Sequence, residues 1–203
     1  MILTNYYWSF PNVLDDTLVD QIIKEGRLED SEEAGTFNKK QKGGENATDG
    51  YIRDTKVAWL DKEWLYVMLH PYVGNANVNA GWNFDINFVE SMQYAEYSPG
   101  QFYNWHQDSS STPYDETALI EGSIGKIRKL SSTVFLSEQD KDYTGGDFVF
   151  DFGPYEDNRY HTVKENGKGS IIVFPSFLYH KITPVETGIR KSLVSWICGP
   201  PWK

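Results

Sequence analysis

Two kinds of periodicity divide the chain. Between Pro11 and Leu28, apolar Val13, Leu14, Leu18, Ile22 and Ile23 recur at helical spacing, with Asp15 and Asp16 at the start, where a helix dipole favours negative charge. A second helical pattern runs from Asp61 to Val73, carried by Trp64, Leu65, Met68 and Leu69, with Asp61 as its expected N-cap. Tyr51 to Leu60, between them, reads as a short strand. From Asn83 onward the pattern changes to short runs bounded by turns: FDINFVESMQYAEY, QFYNWHQD, KLSSTVFLSE, GDFVFDF, GSIIVFP and RKSLVSWIC. Two helices followed by many strands predict an α+β, mainly β domain with a sandwich or barrel core. The expected layout is one domain over 1–203, with helical support over about 1–75 and the β core over about 83–198. Residues 29–50 are polar, Gly-containing and unpatterned. They are expected to form a mobile loop, and their position before the first core strand makes them a candidate substrate gate.

Composition narrows the function classes. A formal charge of -10 argues against a surface built to neutralise phosphates, so no nucleic-acid partner is expected. The single cysteine, Cys198, rules out an intramolecular disulfide and a Cys-rich zinc site. The opening MILTNYYWSFPNV lacks the basic and apolar regions of a signal peptide, and no apolar run approaches a membrane span. A cytoplasmic setting without a membrane partner is the expectation, which makes the sequon at Asn46 incidental.

The chemistry concentrates in the segment from Tyr97 to Asp108. In an extended strand, residues two apart share a face, so His106 and Asp108 would present an imidazole and a carboxylate side by side. Two His and one carboxylate on one face of an octahedron leave three positions open, the arrangement of non-haem iron(II) oxygenases. Of the other three histidines, His70 precedes a proline in the helical region and His161 lies in a polar stretch. His180, just after the apolar strand GSIIVFP, is the natural third ligand. Ten residues on, past the turn formers Thr183-Pro184 and Thr187-Gly188, Arg190 could return beside the metal, where its planar guanidinium can grip a carboxylate. Ser192 faces the same way and offers a hydroxyl to that carboxylate. Tyr97 and Tyr94 are candidate pocket hydroxyls, with Tyr103 and Trp105 as further candidate lining for a substrate.

These residues together resemble the prolyl 4-hydroxylase-like branch of the iron and 2-oxoglutarate dioxygenases, including the bacterial PKHD-type hydroxylases. The resemblance covers roughly residues 51–198. Tyr97, Gly100, Phe102, Tyr103, Trp105, His106 and Asp108 match that branch's Tyr-x-x-Gly, aromatic strand and His-x-Asp. Gly145-Gly146 matches its central Gly-Gly, and Arg53-Asp54-Thr55 through Trp59-Leu60 its early strand. Phe174-Pro175-Ser176, His180, Thr183-Pro184-Val185 and Arg190 match its closing motif. Arg190 stands where many members carry Lys, and Phe135 where some carry a Tyr in the central strand.

The resemblance implies a double-stranded β-helix, or jelly roll, with the metal in one mouth. It implies Fe(II), 2-oxoglutarate and O2 as cofactors, with ascorbate as a candidate reductant. His106, Asp108 and His180 would then hold iron, while Arg190, with Tyr97 and Ser192, would hold 2-oxoglutarate. The implied reaction is oxidative decarboxylation to succinate coupled to hydroxylation of a C–H bond, which an intact Asp108 favours over halogenation. A peptidyl proline leads among substrates, followed by a free amino acid or another small molecule. A nucleic-acid dealkylase fits less well, because those enzymes carry paired arginines in the last strand, and none follows Arg190. An inactive cupin-like binding protein is the alternative of another class. The spacing of Asp140, Asp142, Thr144 and Asp151 mimics a calcium loop, but the alternation of Phe148, Phe150 and Phe152 reads as a strand instead of an exiting helix.

Overall fold

The computed structural model describes residues 3–33, 52–118, 120, 122–154 and 156–202. The chain starts with strand β1 (Trp8–Phe10), helix α1 (Asp16–Leu28) and the two-residue strand β2 (Glu32–Glu33). Next come β3 (Arg53–Asp54), β4 (Lys56–Leu60), helix α2 (Glu63–Asn79), β5 (Phe88–Val89), β6 (Met92–Tyr97) and β7 (Phe102–His106). The remainder of the described chain supplies β8 (Ile127–Phe135), β9 (Tyr143–Gly145), β10 (Phe148–Asp151), β11 (Tyr160–Thr162), β12 (Ile171–Pro175), β13 (Tyr179–Ile182), β14 (Val185–Gly188) and β15 (Arg190–Gly199).

The strands form a major sheet in the order β1-β12-β8-β15-β6-β4-β2, with β5 beside β15, and a minor sheet in the order β11-β10-β13-β7-β3. Strand neighbours in both sheets run antiparallel. A separate β9-β14 ribbon leads into β15. This is the jelly-roll arrangement that the family resemblance implied, one form of the sandwich or barrel core expected from the strand runs, with the helices supporting the major sheet.

Strand parity assigns each side chain to one of two cores. On the helix side of the major sheet lie Leu60, Met92, Tyr94, Leu130, Val134, Ile171 and Leu193. On the side facing the minor sheet lie Val57, Ala95, Tyr97, Phe135, Ile172 and Phe174. Both faces of β8 are buried, and the burial takes in the polar Lys129, Ser131, Ser132 and Thr133 as well as Leu130, Val134 and Phe135.

Helix α1 begins at Asp16, later than the pattern from Pro11 suggested, so Val13 and Leu14 precede it; Asp15 is the N-cap, its carboxylate accepting from the Leu18 amide at 2.9 Å. Val19, Ile22 and Gly26 form its buried face. At Gly26 an added Cβ would sit 2.3 Å from Cγ of Tyr94, so only hydrogen lets the helix reach the sheet there. We expect Gly26→Ala to lower stability by about 1–3 kcal/mol through overpacking, outweighing alanine's better helix propensity. Urea denaturation checks this, and an unchanged midpoint would mean the helix lifts away at no cost.

Several details differ from expectation. Helix α2 is capped at Lys62 without a side-chain bond, because Asp61 instead accepts from the Tyr66 hydroxyl at 2.8 Å. The helix also continues through Pro71 to Asn79. The division into helical support and β core is not clean, since β1, β3 and β4 come from the first 75 residues yet lie in the sheets. Within the expected loop, Glu32–Glu33 pairs with β4, while residues 34–50 lie outside the described residues and the gating expectation with them. The calcium-like segment is a turn followed by β9 and β10, with the Asp151 carboxylate taking two hydrogen bonds from Arg159.

Candidate metal and co-substrate site

His106 ends β7 and His180 lies within β13, and the two are directly paired in the minor sheet. Asp108 arrives by a different route from the one its spacing suggested. The strand stops at His106, and a turn is pinned by the Asp108 and Ser109 amides, which both donate to the Ser176 carbonyl at 2.9 Å. The ligand atoms of the three side chains all lie within 4.8 Å of one another. Asp108 Oδ1 is 3.7 Å from His106 Nε2, and Oδ2 is 3.6 Å from His180 Nε2.

Each imidazole is oriented by its own strand. His106 Nδ1 donates to the Asn104 carbonyl at 2.8 Å and His180 Nδ1 to the Leu178 carbonyl at 2.9 Å. A carbonyl only accepts, so Nδ1 carries the proton and each Nε2 keeps its lone pair for a metal. Asp108 Oδ2 accepts from the Ser131 hydroxyl at 2.7 Å, and Ser131 in turn meets the Ser176 hydroxyl at 2.9 Å. Beneath this turn, Arg128 pairs with Glu90 through two contacts, of 2.8 and 2.5 Å, and lies 4.0 Å over the Trp196 ring. Burial opposes the Arg128 charge, but the Glu90 carboxylate holds its pKa above the ordinary value.

Electrostatics keeps His106 and Asp108 unprotonated. Burial first, then the neighbouring His180, pushes the His106 imidazole down to about 3. Burial alone would raise the Asp108 carboxyl, but His180, His106, Arg128 and the Ser131 hydroxyl together hold it below its usual value. In the metal-free protein, the unfolded chain takes up a proton at residue 106 below its ordinary 6.5, whereas the fold does not until about 3. Stability is therefore full above pH 6.5 and falls as pH drops through that window, by up to about 1.4 kcal/mol per unit from this group. Asp108 acts in the same direction, because a depressed carboxyl pKa stabilises the fold above its unfolded value and that contribution disappears as pH falls. Denaturation of chelator-treated protein at pH 7.5 and 5.5 checks the slope, and equal midpoints would contradict it.

The same cleft contains Arg190, whose side chain is 1% exposed. Its Nη1 donates to the Ser192 hydroxyl at 3.2 Å, while Nε and Nη2 are buried with no hydrogen-bond partner among the described residues. Tyr97 and Phe135 place their rings 5.4 and 5.8 Å from the guanidinium carbon. A buried cation with unpaired donors and no counter-ion is costly unless an anion completes it.

Residues 92–198 match the sequence model of the 2OG-Fe(II) oxygenase superfamily, a span containing the three clustered ligands and Arg190. The chain belongs to that superfamily. A PKHD-type hydroxylase of Synechococcus elongatus is 31% identical over 109 residues, covering 54% of this chain and 43% of the relative. The match thus spans less than half the length of the curated relative. Among solved structures, a Pseudomonas putida prolyl-4-hydroxylase superposes with a TM-score of 0.65 at 20% identity, covering 98% of this chain and 95% of that one. A Trichoplax adhaerens prolyl hydroxylase, in complex with a hypoxia inducible factor peptide fragment, gives 0.68 at 18% identity, covering 96% and 84%. These likenesses establish the double-stranded β-helix fold.

The donor set suits the two groups in the superfamily's name. Two neutral imidazoles and one carboxylate fit Fe(II) with open positions, and the unpaired Arg190 donors fit a carboxylate of 2-oxoglutarate. Tyr97 and Ser192 line the cleft with Arg190, and Tyr103 lines it beside the metal ligands. Tyr94 does not: it has the opposite parity to Tyr97 on β6, packs under α1 and donates to Glu96 at 2.6 Å. Trp105 also faces away, stacking on Tyr160 at 5.5 Å under the Lys181 ammonium. Its place next to the inward His106 turns Trp105 outward by ordinary strand alternation, whereas a bulge between β7 and β13 brings Tyr103 and His106 to one face three residues apart. Sequence reading missed Ser131, Arg128, Glu90 and Tyr143. Ser131 had a signal, as a polar residue at an inward position of an apolar strand. Tyr143 lies against Arg190, its hydroxyl raised by burial with the Arg190 charge opposing.

Proposed function

We propose that this chain is an Fe(II)- and 2-oxoglutarate-dependent dioxygenase that hydroxylates a C–H bond, with a peptidyl prolyl residue as the leading substrate. The observation that carries the reading is the buried, incompletely paired Arg190 guanidinium sharing one cleft with the His106, Asp108 and His180 cluster. A relic metal site would have no reason to retain a buried arginine awaiting an anion. The prolyl preference rests on the prolyl hydroxylases that share its fold and on the PKHD-type relatives.

His106, Asp108 and His180 would hold Fe(II), and Arg190 would hold 2-oxoglutarate in the same cleft. When bound, the pair supplies oxidative decarboxylation to succinate coupled to oxidation of a substrate C–H bond. The protein's own contribution is positioning and exclusion of water. Arg190 fixes the far carboxylate of the co-substrate, with the Ser192 hydroxyl beside it and the rings of Tyr97 and Phe135 screening that end from solvent. Phe148, Phe174 and Ile182 make the wall near the metal apolar.

Purified protein with Fe(II), 2-oxoglutarate and a panel of prolyl peptides should form succinate and a product 16 Da heavier in matching amounts (about one oxygen atom per turnover). Tight 2-oxoglutarate binding without turnover of any panel member would remove the prolyl assignment. Absence of both metal and 2-oxoglutarate binding would favour an inactive binding protein.

A further inference from the structure

The chain has five arginines, and their pairing is uneven. Arg27, Arg128 and Arg159 each form an ion pair with a carboxylate. Arg53 and Arg190, the two that line the cleft, have none within salt-bridge distance among the described residues. Arg190 is accounted for by the co-substrate. Arg53 is not.

Arg53 sits on β3, opposite Tyr103 in the minor sheet. Its Nη2 donates to Gln93 Oε1 on β6 at 2.7 Å, so the side chain bridges the mouth between the two sheets. The guanidinium lies 4.6 Å from the centre of the Tyr103 ring, which stacks on the His106 imidazole at 3.4 Å. Its Nε is buried with no hydrogen-bond partner among the described residues, and the same holds for Nε1 of Trp196 in the same cleft. The side chain is therefore held by a neutral amide and a ring face, with a donor left open.

Charge counting says what belongs there. Arg128 and Glu90 cancel each other. A divalent metal against Asp108, with Arg190 and Arg53, leaves the site three charges positive. The 2-oxoglutarate dianion removes two of them. One positive charge remains, and Arg53 is the cleft cation left without a counter-ion among the described residues.

We propose that Arg53 is the anchor of a second anion subsite, through which the oxidised substrate presents a carboxylate to the cleft. The inference rests on the dioxygenase reading above. A planar guanidinium held over an aromatic ring can recognise a carboxylate geometrically as well as by charge. The carboxylate has two possible sources, the α-carboxylate of a free amino acid or an acidic side chain beside the target residue of a peptide.

The test uses protein loaded with Mn(II), which keeps the complex redox-silent, and saturated with 2-oxoglutarate so that Arg190 is occupied. Calorimetric titration compares free L-amino acids with their carboxamides, and blocked Asp-Pro with blocked Asn-Pro dipeptides. Acids should bind roughly ten- to one-hundred-fold more tightly than matched amides. Arg53→Gln should abolish that preference, Arg53→Lys should retain part of it, and 2-oxoglutarate affinity should stay within about two-fold in both. A preference among the free acids identifies the α-carboxylate, and one among the dipeptides identifies the acidic side chain. Either supports the proposal. Equal binding of acid and amide, a preference that survives Arg53→Gln, or no binding across the panel overturns it. Failure of the unsubstituted protein to bind 2-oxoglutarate would instead strike at the dioxygenase reading.

Discussion

Replacing Arg190 with methionine should cost 2-oxoglutarate affinity about a hundred-fold or more, while metal affinity stays nearly unchanged. A buried, charge-assisted carboxylate pair is worth roughly 2–5 kcal/mol when one partner is removed, and each 1.4 kcal/mol is ten-fold. Metal binding should survive because Arg190 is not among the clustered ligand atoms. The same substitution should make the ligand-free fold more stable, since wild type buries a guanidinium whose Nε and Nη2 have no partner. Adding 2-oxoglutarate should reverse the order, stabilising wild type by mass action and leaving the variant unmoved. Thermal melts with and without the co-substrate, alongside anaerobic titration, read both effects. If the substitution weakened metal and 2-oxoglutarate binding alike and destabilised the ligand-free fold, Arg190 would be a structural residue.

How far the chain could be read from its sequence depended on whether a signal was local. The strands β8, β12 and β15 are five to ten residues long, and the four-residue β10 carries the apolar run Phe148-Val149-Phe150, so these show between turns in the sequence. Strands such as β1, β9 and β13 are three or four residues long and exist because a neighbour pairs with them. No local pattern announces them. His106 and Asp108 come together as expected, but through a turn tied to Ser176 instead of continued strand alternation. Tyr94 and Trp105 are both excluded by parity, the first against Tyr97 and the second against His106, whereas Tyr103 reaches the cleft only because a bulge breaks parity. The Arg128 and Glu90 pair joins residues 38 apart in sequence, a partnership that only the fold makes visible.

Loss of His180 should be the most damaging single change to the metal site, and comparing it with loss of Ser131 separates ligation from support. His180→Ala removes one of three donors and leaves the Asp108 carboxylate, whose side chain is 6% exposed, without one of its two flanking imidazoles. Metal affinity should fall by well over a hundred-fold, and 2-oxoglutarate turnover should drop to background. Ser131→Ala keeps all three donors but removes the 2.7 Å bond that fixes Asp108 Oδ2, so a fall of about ten- to one-hundred-fold in metal affinity is expected. Excess metal should therefore restore turnover to Ser131→Ala and not to His180→Ala. Competition against a colorimetric chelator gives the affinities, and succinate formation across a metal titration gives the rescue. If excess metal rescued both variants equally, His180 would be supporting the site from outside the coordination sphere, and the third ligand would have to be sought elsewhere in the cleft.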